Sequence, residues 1–520
     1  MPAIRTGPKL TRRCTFRAES HHRRLRLASA HEVERTYRTA QRVGLLTGGA
    51  FFLLMLAIPA PSVLTDAAWR AAAVAVLMAV WWMTEAIPIP ATALLPLALL
   101  PLLGVLEMAD TASAYAEDVI FLLMGGFLLA VAMERWGLHR RIALSLVTAV
   151  GTGPARIVLG FMLATAFLSM WISNTATTAM MLPVALAVGE TFRPEDAGDT
   201  YPFGVALMLG IAYAASIGGV ATLIGTPPNA VLAGTASELI GVDIGFLQWA
   251  LVGMPLAAIM LPLAWLLLVK VLYPPEVTGV DAAAVIEEQR SSLGAASRGE
   301  WIVGIVFTLT AAAWILRAPK TMGAVSIPGI QSFAPSVRDS TIAMAAAVIL
   351  FLVPVDWRKG IFALDWPTAR RIPWGVLVLF GGGLALARAV DRTGLAAWLG
   401  GVMGSMEGVP PVVVLALVGT LFVFLTEVTS NTATATMAMP VMAGMAGGLG
   451  MEPLTLMATA AMACSMAFML QVATPPNAIV FGSNYLTIAQ MSRAGIWLNL
   501  LAISVITAVA TLLVPAVLGR

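Results

Sequence analysis

Uninterrupted apolar stretches of about 20 residues recur along this chain, and that is the length a helix needs to cross a bilayer. The chain has 520 residues, of which 59% are hydrophobic and only 11% charged, whereas a soluble domain carries roughly 25% charged residues. The apolar runs are continuous and lack the alternation of a membrane β-barrel strand. The sequence therefore predicts an all-α polytopic membrane protein.

About eleven of these stretches are predicted to be transmembrane helices, and two more are predicted to enter the membrane and return on the same side. The predicted spans lie near residues 43–59, 68–85, 88–106, 118–136, 203–225, 247–272, 301–317, 338–354, 373–390, 453–472 and 495–518. The two returning segments, near 153–190 and 409–447, have polar clusters at their centres.

Positive charge near the N-terminus sets the predicted orientation. Residues 1–42 hold eleven Lys and Arg against three Glu, and basic flanks stay on the cytoplasmic side. A basic tail can also contact anionic lipid or nucleic acid, but we interpret this one as a topology-setting cytoplasmic tail without a nucleic-acid partner. Eleven crossings then place the C-terminus outside, in a multi-pass protein of the cell inner (plasma) membrane.

Two long segments repeat with one fixed spacing. SNTATTAMMLP at 173–183 returns as SNTATATMAMP at 430–440, an offset of 257 (430 − 173). GGFLLAVAMERWGL at 125–138 matches GGLALARAVDRTGL at 382–395 with the same offset (382 − 125). Apolar segments are often similar by chance, but polar motifs and a Gly-Gly segment in the same order indicate an internal duplication.

A second polar motif completes the duplication. GTPPNAVLAG at 225–234 is echoed by ATPPNAIVFG at 473–482, an offset of 248 (473 − 225). The unpaired first span and the first repeat then occupy 43–272, a cytoplasmic linker 273–300, and the second repeat 301–520. Because each repeat holds five spans and one hairpin, the second copy enters the membrane from the opposite side. Such inverted-topology repeats are typical of secondary transporters.

Three consecutive polar residues, Ser-Asn-Thr, stand in the middle of each predicted hairpin. A polar side chain without a partner costs several kcal/mol in hydrocarbon. Isolated Ser and Thr bond back to their own helix, but Asn carries donors and an acceptor that its own helix cannot satisfy. We therefore predict that the helix breaks at this motif and that 153–190 and 409–447 are re-entrant hairpins.

Each Thr-Pro-Pro-Asn motif predicts a broken span. Proline lacks an N–H group and disrupts a helix, and the residue before it is pushed to extended geometry. Broken backbone at membrane depth occurs only where it is buried in protein or lines a wet cavity. Freed carbonyl groups there can bind a cation, and the N-termini of half-helices attract an anion.

The four motif segments, 165–183, 218–234, 426–440 and 465–482, contain no Lys, Arg or His. An anion bound there must rely on amides, hydroxyls and helix ends, with bound cations neutralising it. Carbonyl and hydroxyl oxygens suit Na⁺, whereas proton coupling would use a carboxylate or a histidine. Glu427 is the one carboxylate in these segments, and both a structural role and a tuning role near the second cation stay open.

The sequence gives little support for an enzyme or a channel. No nucleophile–base pair and no metal-ligand spacing is visible in the predicted spans, which argues against a membrane-embedded enzyme and against an organic cofactor. A passive anion channel is an alternative, although paired cation sites would have no purpose in a channel.

The paired motifs resemble those of the divalent anion/sodium symporter family. Their contexts are SIGGVATLIGTPPNAVLAG at 216–234 and FMLQVATPPNAIVFGS at 468–483, and the resemblance covers nearly the whole chain from about residue 40. It implies eleven spans and two hairpins per protomer, a homodimer, and scaffold and transport domains interleaved across both repeats. It also implies an elevator-type motion that couples two or more Na⁺ to uptake of C4-dicarboxylates such as succinate, malate or fumarate.

The resemblance assigns roles to the motif residues by position. Substrate carboxylates would be held or lined by Ser173, Asn174, Thr175, Thr226, Pro227, Ser430, Asn431, Thr432, Thr474 and Pro475. The first Na⁺ would lie among Ser169, Ser173, Asn174 and Gly225. The second would use Thr426, Thr429, Asn431 and Ala473, mostly through backbone carbonyls.

Two features depart from the family pattern. Gln471 stands where the family usually has proline, and the N-terminal tail is longer and more basic than expected of a bacterial member. Sulfate or citrate transport, or dicarboxylate exchange, are alternatives on the same fold. Two intact Ser-Asn-Thr copies favour dicarboxylate over sulfate and symport over exchange.

Overall fold

The computed structural model describes residues 39–151, 153–193, 201–275, 282–322, 325–403 and 408–519. Helices make up most of the described chain. The first half contains α1 Thr39–Ala57, α2 Asp66–Thr84, α3 Ile89–Thr92, α4 Leu95–Leu102, α5 Met108–Ser113, α6 Asp118–Trp136, α7 Leu138–Val150, α8 Pro154–Ser169, α9 Asn174–Thr191, α10 Pro202–Val220, α11 Pro227–Ile240 and α12 Phe246–Leu266. A 3₁₀ turn, Ala114–Ala116, precedes α6, and a π-helical segment, Leu267–Leu272, extends α12.

The second half follows the same order after a linker. Its helices are α13 Ala282–Ser291, α14 Arg298–Ile315, α15 Asp339–Leu352, α16 Trp366–Ala369, α17 Trp374–Arg392, α18 Leu395–Met403, α19 Pro411–Thr426, α20 Asn431–Ala446, α21 Pro453–Cys464, α22 Pro475–Phe481, α23 Ile488–Leu512 and α24 Val514–Leu518. Two short antiparallel pairs lie in the connections: β1 Lys320–Met322 with β2 Val325–Ile327, and β3 Pro354–Asp356 with β4 Ile361–Phe362.

Among the described residues, eight helical segments are long and apolar enough to cross a membrane. Three shorter apolar segments, Ile89–Leu102, Asp339–Leu352 and Pro453–Cys464, occupy the positions of the other predicted spans. The two remaining short apolar helices are α8 and α19, the first arms of the predicted hairpins. The predicted all-α polytopic fold is confirmed.

The duplication is visible in the helix boundaries. Helix α8 begins at a proline and ends at Ser169, and α19 begins at a proline and ends at Thr426, 257 residues later in each case (426 − 169). The next helices, α9 and α20, begin at Asn174 and Asn431. The same local sequence therefore gives the same helix break in both halves.

Three predicted segments differ from the structure in their helix content. The predicted spans 203–225 and 453–472 stop early, because α10 ends at Val220 and α21 at Cys464. Each resumes as a half-helix, α11 or α22, only at the first proline of Thr-Pro-Pro-Asn, where a missing N–H is tolerated. The predicted linker 273–300 contains a helix, α13. Residues 1–38 of the predicted tail lie outside the described chain.

Helix α10 forms the centre of the molecule. Eighteen of its nineteen residues are buried, all but Pro202, and it packs on α8, α9, α12 and α22. A helix that is apolar all round and buried all round holds its neighbours in a fixed arrangement. It thereby places the first hairpin beside the broken span of the second repeat.

Candidate functional site

The first hairpin turns at Ser-Asn-Thr because serine caps the returning helix. Ser173 precedes α9, and its hydroxyl accepts a hydrogen bond from the amide of Ala176 at 3.2 Å, the arrangement expected of an N-cap serine. Ser173 and Thr175 are exposed, while Asn174 is half-buried. In the second hairpin Ser430, at the equivalent cap position, is half-buried. Both tips are accessible at the point where the helix breaks.

Three oxygens meet at the base of the first hairpin tip. The hydroxyl of Ser169, which is fully buried, lies 2.6 Å from Oδ1 of Asn174 and 2.7 Å from the carbonyl oxygen of Ala215. A hydroxyl has one hydrogen and can donate to only one of these oxygens. The cluster therefore holds more oxygen lone pairs than hydrogens.

The second hairpin reproduces this cluster with threonine in place of serine. The hydroxyl of Thr426, also fully buried, lies 2.8 Å from Oδ1 of Asn431 and 2.9 Å from the carbonyl oxygen of Cys464. The same shortage of hydrogens applies. Ser169 and Thr426 are the residues that sequence reasoning placed in the two cation sites, and the structure puts each against the asparagine of its own motif.

Two glycines let backbone oxygens come close to the first cluster. A Cβ at Gly225 would lie 2.4 Å from the carbonyl oxygen of Gly219 and 2.9 Å from that of Ser169, and a Cβ at Gly219 would lie 2.5 Å from Oδ1 of Asn174. A side chain at either position would thus collide with the oxygens around Ser169 and Asn174. These contacts are of the kind that line a small cation site, since carbonyl and amide oxygens are ligands for hard cations.

If the first cluster binds Na⁺, as the family resemblance implies, replacing Gly219 with alanine is expected to raise the Na⁺ concentration needed for half-maximal dicarboxylate uptake by about tenfold, because the new methyl group displaces the Asn174 amide oxygen. Gly419→Ala is the matched control, since its Cβ would meet only one side-chain carbon, at 3.9 Å. Na⁺ titration of uptake compares the two variants. Equal Na⁺ dependence in both would show that the oxygens around Gly219 do not contribute to Na⁺ binding.

The asparagines of the Thr-Pro-Pro-Asn motifs hold the broken spans in shape. Nδ2 of Asn229, which carries two hydrogens, lies within hydrogen-bonding distance of the carbonyl oxygens of Thr222 at 2.7 Å, Val220 at 3.1 Å and Gly219 at 3.3 Å. Sequence reasoning noted the motif but did not place this asparagine in the site. Its amide satisfies carbonyl groups that the break leaves without helical partners.

The second break is held in the same way. Nδ2 of Asn477 donates to the carbonyl oxygens of Leu470 at 3.0 Å and Ala467 at 3.2 Å. Within the described chain, Oδ1 of Asn229 and of Asn477 is buried without a hydrogen-bond partner. A buried acceptor left without a donor is costly, so each break presents an oxygen that a bound ion or ligand can satisfy.

The prolines of both motifs start half-helices from extended backbone. Thr226 and Thr474 have φ near −141° and −144°, the geometry that a following proline imposes. Both threonines are buried, Pro227 is half-buried and Pro475 is exposed. The hydroxyl of Thr474 is buried without a partner among the described residues.

Helices that begin at the motifs of one repeat pack on helices that begin at the motifs of the other. The returning arm of the first hairpin, α9, packs on α22, which begins at the second Thr-Pro-Pro-Asn. The returning arm of the second hairpin, α20, packs on α11, which begins at the first. In the first repeat the start of α9 also lies beside the segment that leads into α11, since a Cβ at Gly219 would lie 2.5 Å from Oδ1 of Asn174. Helix N-termini carry partial positive charge and stabilise a bound anion.

The second cation set is arranged differently from the first. The hydroxyl of Thr429 donates to the carbonyl oxygen of Leu425 at 2.8 Å and lies 2.6 Å from the hydroxyl of Thr434. It is therefore satisfied within its own hairpin, and its backbone carbonyl is what it offers to a site. The amide of Ala473 donates to Leu470 at 3.2 Å, which leaves the Ala473 carbonyl as its possible ligand.

Glu427 is a partnered, buried carboxylate. It accepts hydrogen bonds from the backbone amides of Phe468 at 2.7 Å, Met469 at 2.9 Å and Leu470 at 3.0 Å, and from Nδ2 of Asn499 at 2.8 Å. These three amides lie just beyond α21, where the chain has left the helix. Of the two roles that the sequence left open, this geometry favours the structural one.

A helical membrane protein with an internal duplication and paired helix breaks has features typical of a secondary transporter. The chain belongs to the sodium:sulfate symporter family, because the family model described as the sodium:sulfate symporter transmembrane region matches residues 39–518. This confirms the resemblance inferred from the motifs.

Relatives and solved structures agree with this assignment. The sodium-dependent dicarboxylate transporter SdcS of Staphylococcus saprophyticus is 44% identical over 492 residues, 93% of each chain. SdcS of Staphylococcus aureus (strain MRSA252) is 41% identical over 509 residues, 96% of each chain. The Alcanivorax borkumensis YdaH transporter (TM-score 0.57, 17% identity, 90% of this chain and 97% of that one) shares the fold. So does Neisseria gonorrhoeae MtrF (TM-score 0.52, 14% identity, 77% and 83%).

Proposed function

We propose that this protein is a secondary active transporter that couples Na⁺ influx to uptake of C4-dicarboxylates such as succinate, malate or fumarate. The observation that carries the proposal is the pair of equivalent oxygen clusters, in which one hydroxyl lies within 2.9 Å of two further oxygens at Ser169 and again at Thr426. The names of the SdcS relatives, which are sodium-dependent dicarboxylate transporters, support the same ion and substrate.

Two Na⁺ fit the oxygens of the two hairpin bases. Ser169, Ser173, Asn174 and Gly225 would hold the first ion, and Thr426, Thr429, Asn431 and Ala473 the second. Each cluster has a single hydroxyl hydrogen for two acceptor oxygens, and the Oδ1 atoms of Asn229 and Asn477 have no hydrogen-bond donor among the described residues. Unwound carbonyl groups of broken helices are recurrent ligands for coupling ions.

The dicarboxylate is proposed to bind at the two hairpin tips. The residues proposed to contact or line the substrate are Ser173, Asn174, Thr175, Thr226, Pro227, Ser430, Asn431, Thr432, Thr474 and Pro475. Because the motif segments contain no basic residue, a dianion there has only hydroxyls, amides and helix N-termini as direct partners. A doubly charged anion is costly to desolvate alone, and two bound Na⁺ would neutralise it.

Transport by an elevator motion requires two bodies. We define the site body as α8–α12 and α19–α23, and the framework as α2–α6 and α14–α17. Within the framework, α17 packs on α2, α3 and α4, and α15 packs on α6, while α17 and α6 contact the site body through α11 and α20. We propose that the site body moves against the framework in a homodimer, in the inner (plasma) membrane with a cytoplasmic N-terminus.

Uptake of radiolabelled succinate into proteoliposomes tests the proposed function. An inward Na⁺ gradient is expected to drive accumulation, and dissipating the gradient or replacing Na⁺ with K⁺ is expected to stop it. Uptake without any gradient dependence would instead favour exchange or a passive channel.

Sulfate is a second candidate substrate, because the family description itself names it. Competition by unlabelled fumarate, malate, citrate and sulfate separates the candidates. Strong inhibition by fumarate and malate with weak inhibition by sulfate and citrate is expected. The reverse order would assign a different anion to the same site.

A further inference from the structure

Arg388 forms a fully satisfied ion-pair network away from the substrate site. Its Nε and Nη2 bind both carboxylate oxygens of Glu238, the second at 2.6 Å, and Nη2 also donates to Glu117 at 2.7 Å. Its Nη1 donates to the hydroxyl of Ser113 at 2.6 Å and the carbonyl oxygen of Asp110 at 2.7 Å. All five N–H groups of the guanidinium are thus used, on a side chain that is 8% exposed.

The network joins the two bodies of the molecule. Arg388 lies on α17 and Glu117 directly before α6, both in the framework. Glu238 lies near the end of α11, the half-helix that begins at Pro227 in the substrate site. The bidentate pair with Glu238 therefore fixes the C-terminal end of α11, whose N-terminal end lines the proposed site. Bidentate Arg–carboxylate pairs hold geometry more strictly than single contacts.

Elsewhere, α11, α17 and α20 contact one another through apolar groups, and glycines let the helices pack closely. A Cβ at Gly234 of α11 would lie 2.8 Å from Val119 and 3.2 Å from Leu384, and a Cβ at Gly383 of α17 would lie 2.1 Å from Thr436. Contacts between small residues and alkyl groups are not directional, so they do not fix the position of α11 along α17 and α20. The hydrogen bonds between Arg388 and Glu238 are directional and fix this position.

The pair occurs in only one of the two repeats. The position equivalent to Arg388 in the first copy is Val131 (388 − 257), and the position equivalent to Glu238 in the second copy is Leu486 (238 + 248). The hairpins and helix breaks are duplicated, so the pair is not part of the symmetric binding machinery. Its role is tied to one arrangement of the bodies.

We propose that Arg388 and Glu238 are positioning residues that latch the site body to the framework in this conformation, and that the pair separates in each transport cycle. This inference rests on the proposed elevator motion. When α11 moves past α17, Glu238 leaves the guanidinium, while Glu117 and Ser113 remain with it in the framework. The latch therefore sets how often the site body moves. It does not change the affinity of the binding site for the dicarboxylate.

Glu238→Gln tests the latch by double electron–electron resonance. Spin labels are placed at two exposed positions, Trp357 in the framework turn and Leu417 on the second hairpin, 75% and 56% exposed respectively. In the variant, the population with the distance of this conformation is expected to fall by about tenfold or more relative to the other population. Losing one partner of a buried ion pair strongly destabilises the conformation that contains it. Succinate affinity at saturating Na⁺ is expected to stay within about twofold, while maximal uptake changes.

Asp365→Asn is the matched control. Asp365 pairs with Arg135 at 2.7 Å, an ion pair within the framework, and asparagine preserves its N-cap function at α16. This variant is expected to keep the wild-type distance distribution. If Glu238→Gln does not purify as a folded protein, Glu238→Asp, which keeps the charge but shortens the reach, is measured in its place.

The result that overturns the latch is a distance distribution and maximal uptake in the Glu238 variant equal to those of the wild type. Failure of the proposed substrate gives a different pattern. In that case wild-type vesicles do not accumulate succinate, while the distance measurement still reports whether Glu238 holds the two bodies together.

Discussion

Asn174→Ala is expected to lower Na⁺-driven dicarboxylate uptake by about 100-fold or more, the scale of losing a group that orients a metal ligand set. Oδ1 of Asn174 is one of the two oxygens that lie beside the Ser169 hydroxyl, and the residue also starts α9 at the hairpin tip. Alanine removes the amide from both proposed contacts, the one to Na⁺ and the one to the substrate. Proteoliposome uptake of labelled succinate measures the effect, and Asn431→Ala is expected to have a similar one.

Thr420→Ala is the matched control for this loss. Thr420 lies on a hairpin arm, and its hydroxyl donates to the carbonyl oxygen of Ala416 in its own helix at 2.7 Å, so its removal leaves no unsatisfied partner elsewhere. Its uptake is expected to be near that of the wild type. Uptake by Asn174→Ala as fast as by Thr420→Ala would remove the hairpin tip from the binding site.

Glu427→Ala is expected to lower the free energy of unfolding by about 3 kcal/mol or more, because it leaves buried donors without an acceptor. The carboxylate accepts three backbone amides and the Asn499 side chain, and it is 3% exposed. Glu427→Gln keeps only one acceptor oxygen and should fall between the alanine variant and the wild type. Thermal unfolding in detergent, followed by tryptophan fluorescence, measures the order.

The control for Glu427 is another glutamate of the same region. Glu452 is exposed and makes no capping hydrogen bond at the start of α21, so Glu452→Ala should change the unfolding temperature little. Similar unfolding temperatures for the Glu427 and Glu452 variants would contradict the structural role assigned to Glu427.

The helix breaks were predictable because their causes are local. A cap serine before Asn174 and the double proline after Thr226 act on their own backbone, and the predicted hairpin at 153–190 differs from α8 and α9 by a single residue at each end. The duplication then extended the same inference to the second half. The fold class followed from the length of the apolar runs.

Long-range partners were not predictable in the same way. The amides that Glu427 binds belong to the backbone about forty residues further along the chain. Because nearly every residue has a backbone amide, the sequence does not show which amides bind a given carboxylate. The crossing of α9 with α22 and of α20 with α11 depends on how the two repeats pack, which one copy of a motif does not reveal. The substrate and cation roles of the motif residues stay predictions. The sequence did not reveal that the hydroxyl of Thr429 is bonded within its own hairpin, which leaves its backbone carbonyl as the ligand.

Isothermal titration of succinate at several Na⁺ concentrations tests the central claim, that the paired breaks bind Na⁺ and the dianion as one coupled unit. If two ions neutralise the substrate, each must strengthen the binding of the other, since coupling free energy is reciprocal. The expected result is a dissociation constant for succinate that falls with roughly the second power of Na⁺ concentration below saturation. A dissociation constant for succinate that does not change between Na⁺ and K⁺ would contradict the account.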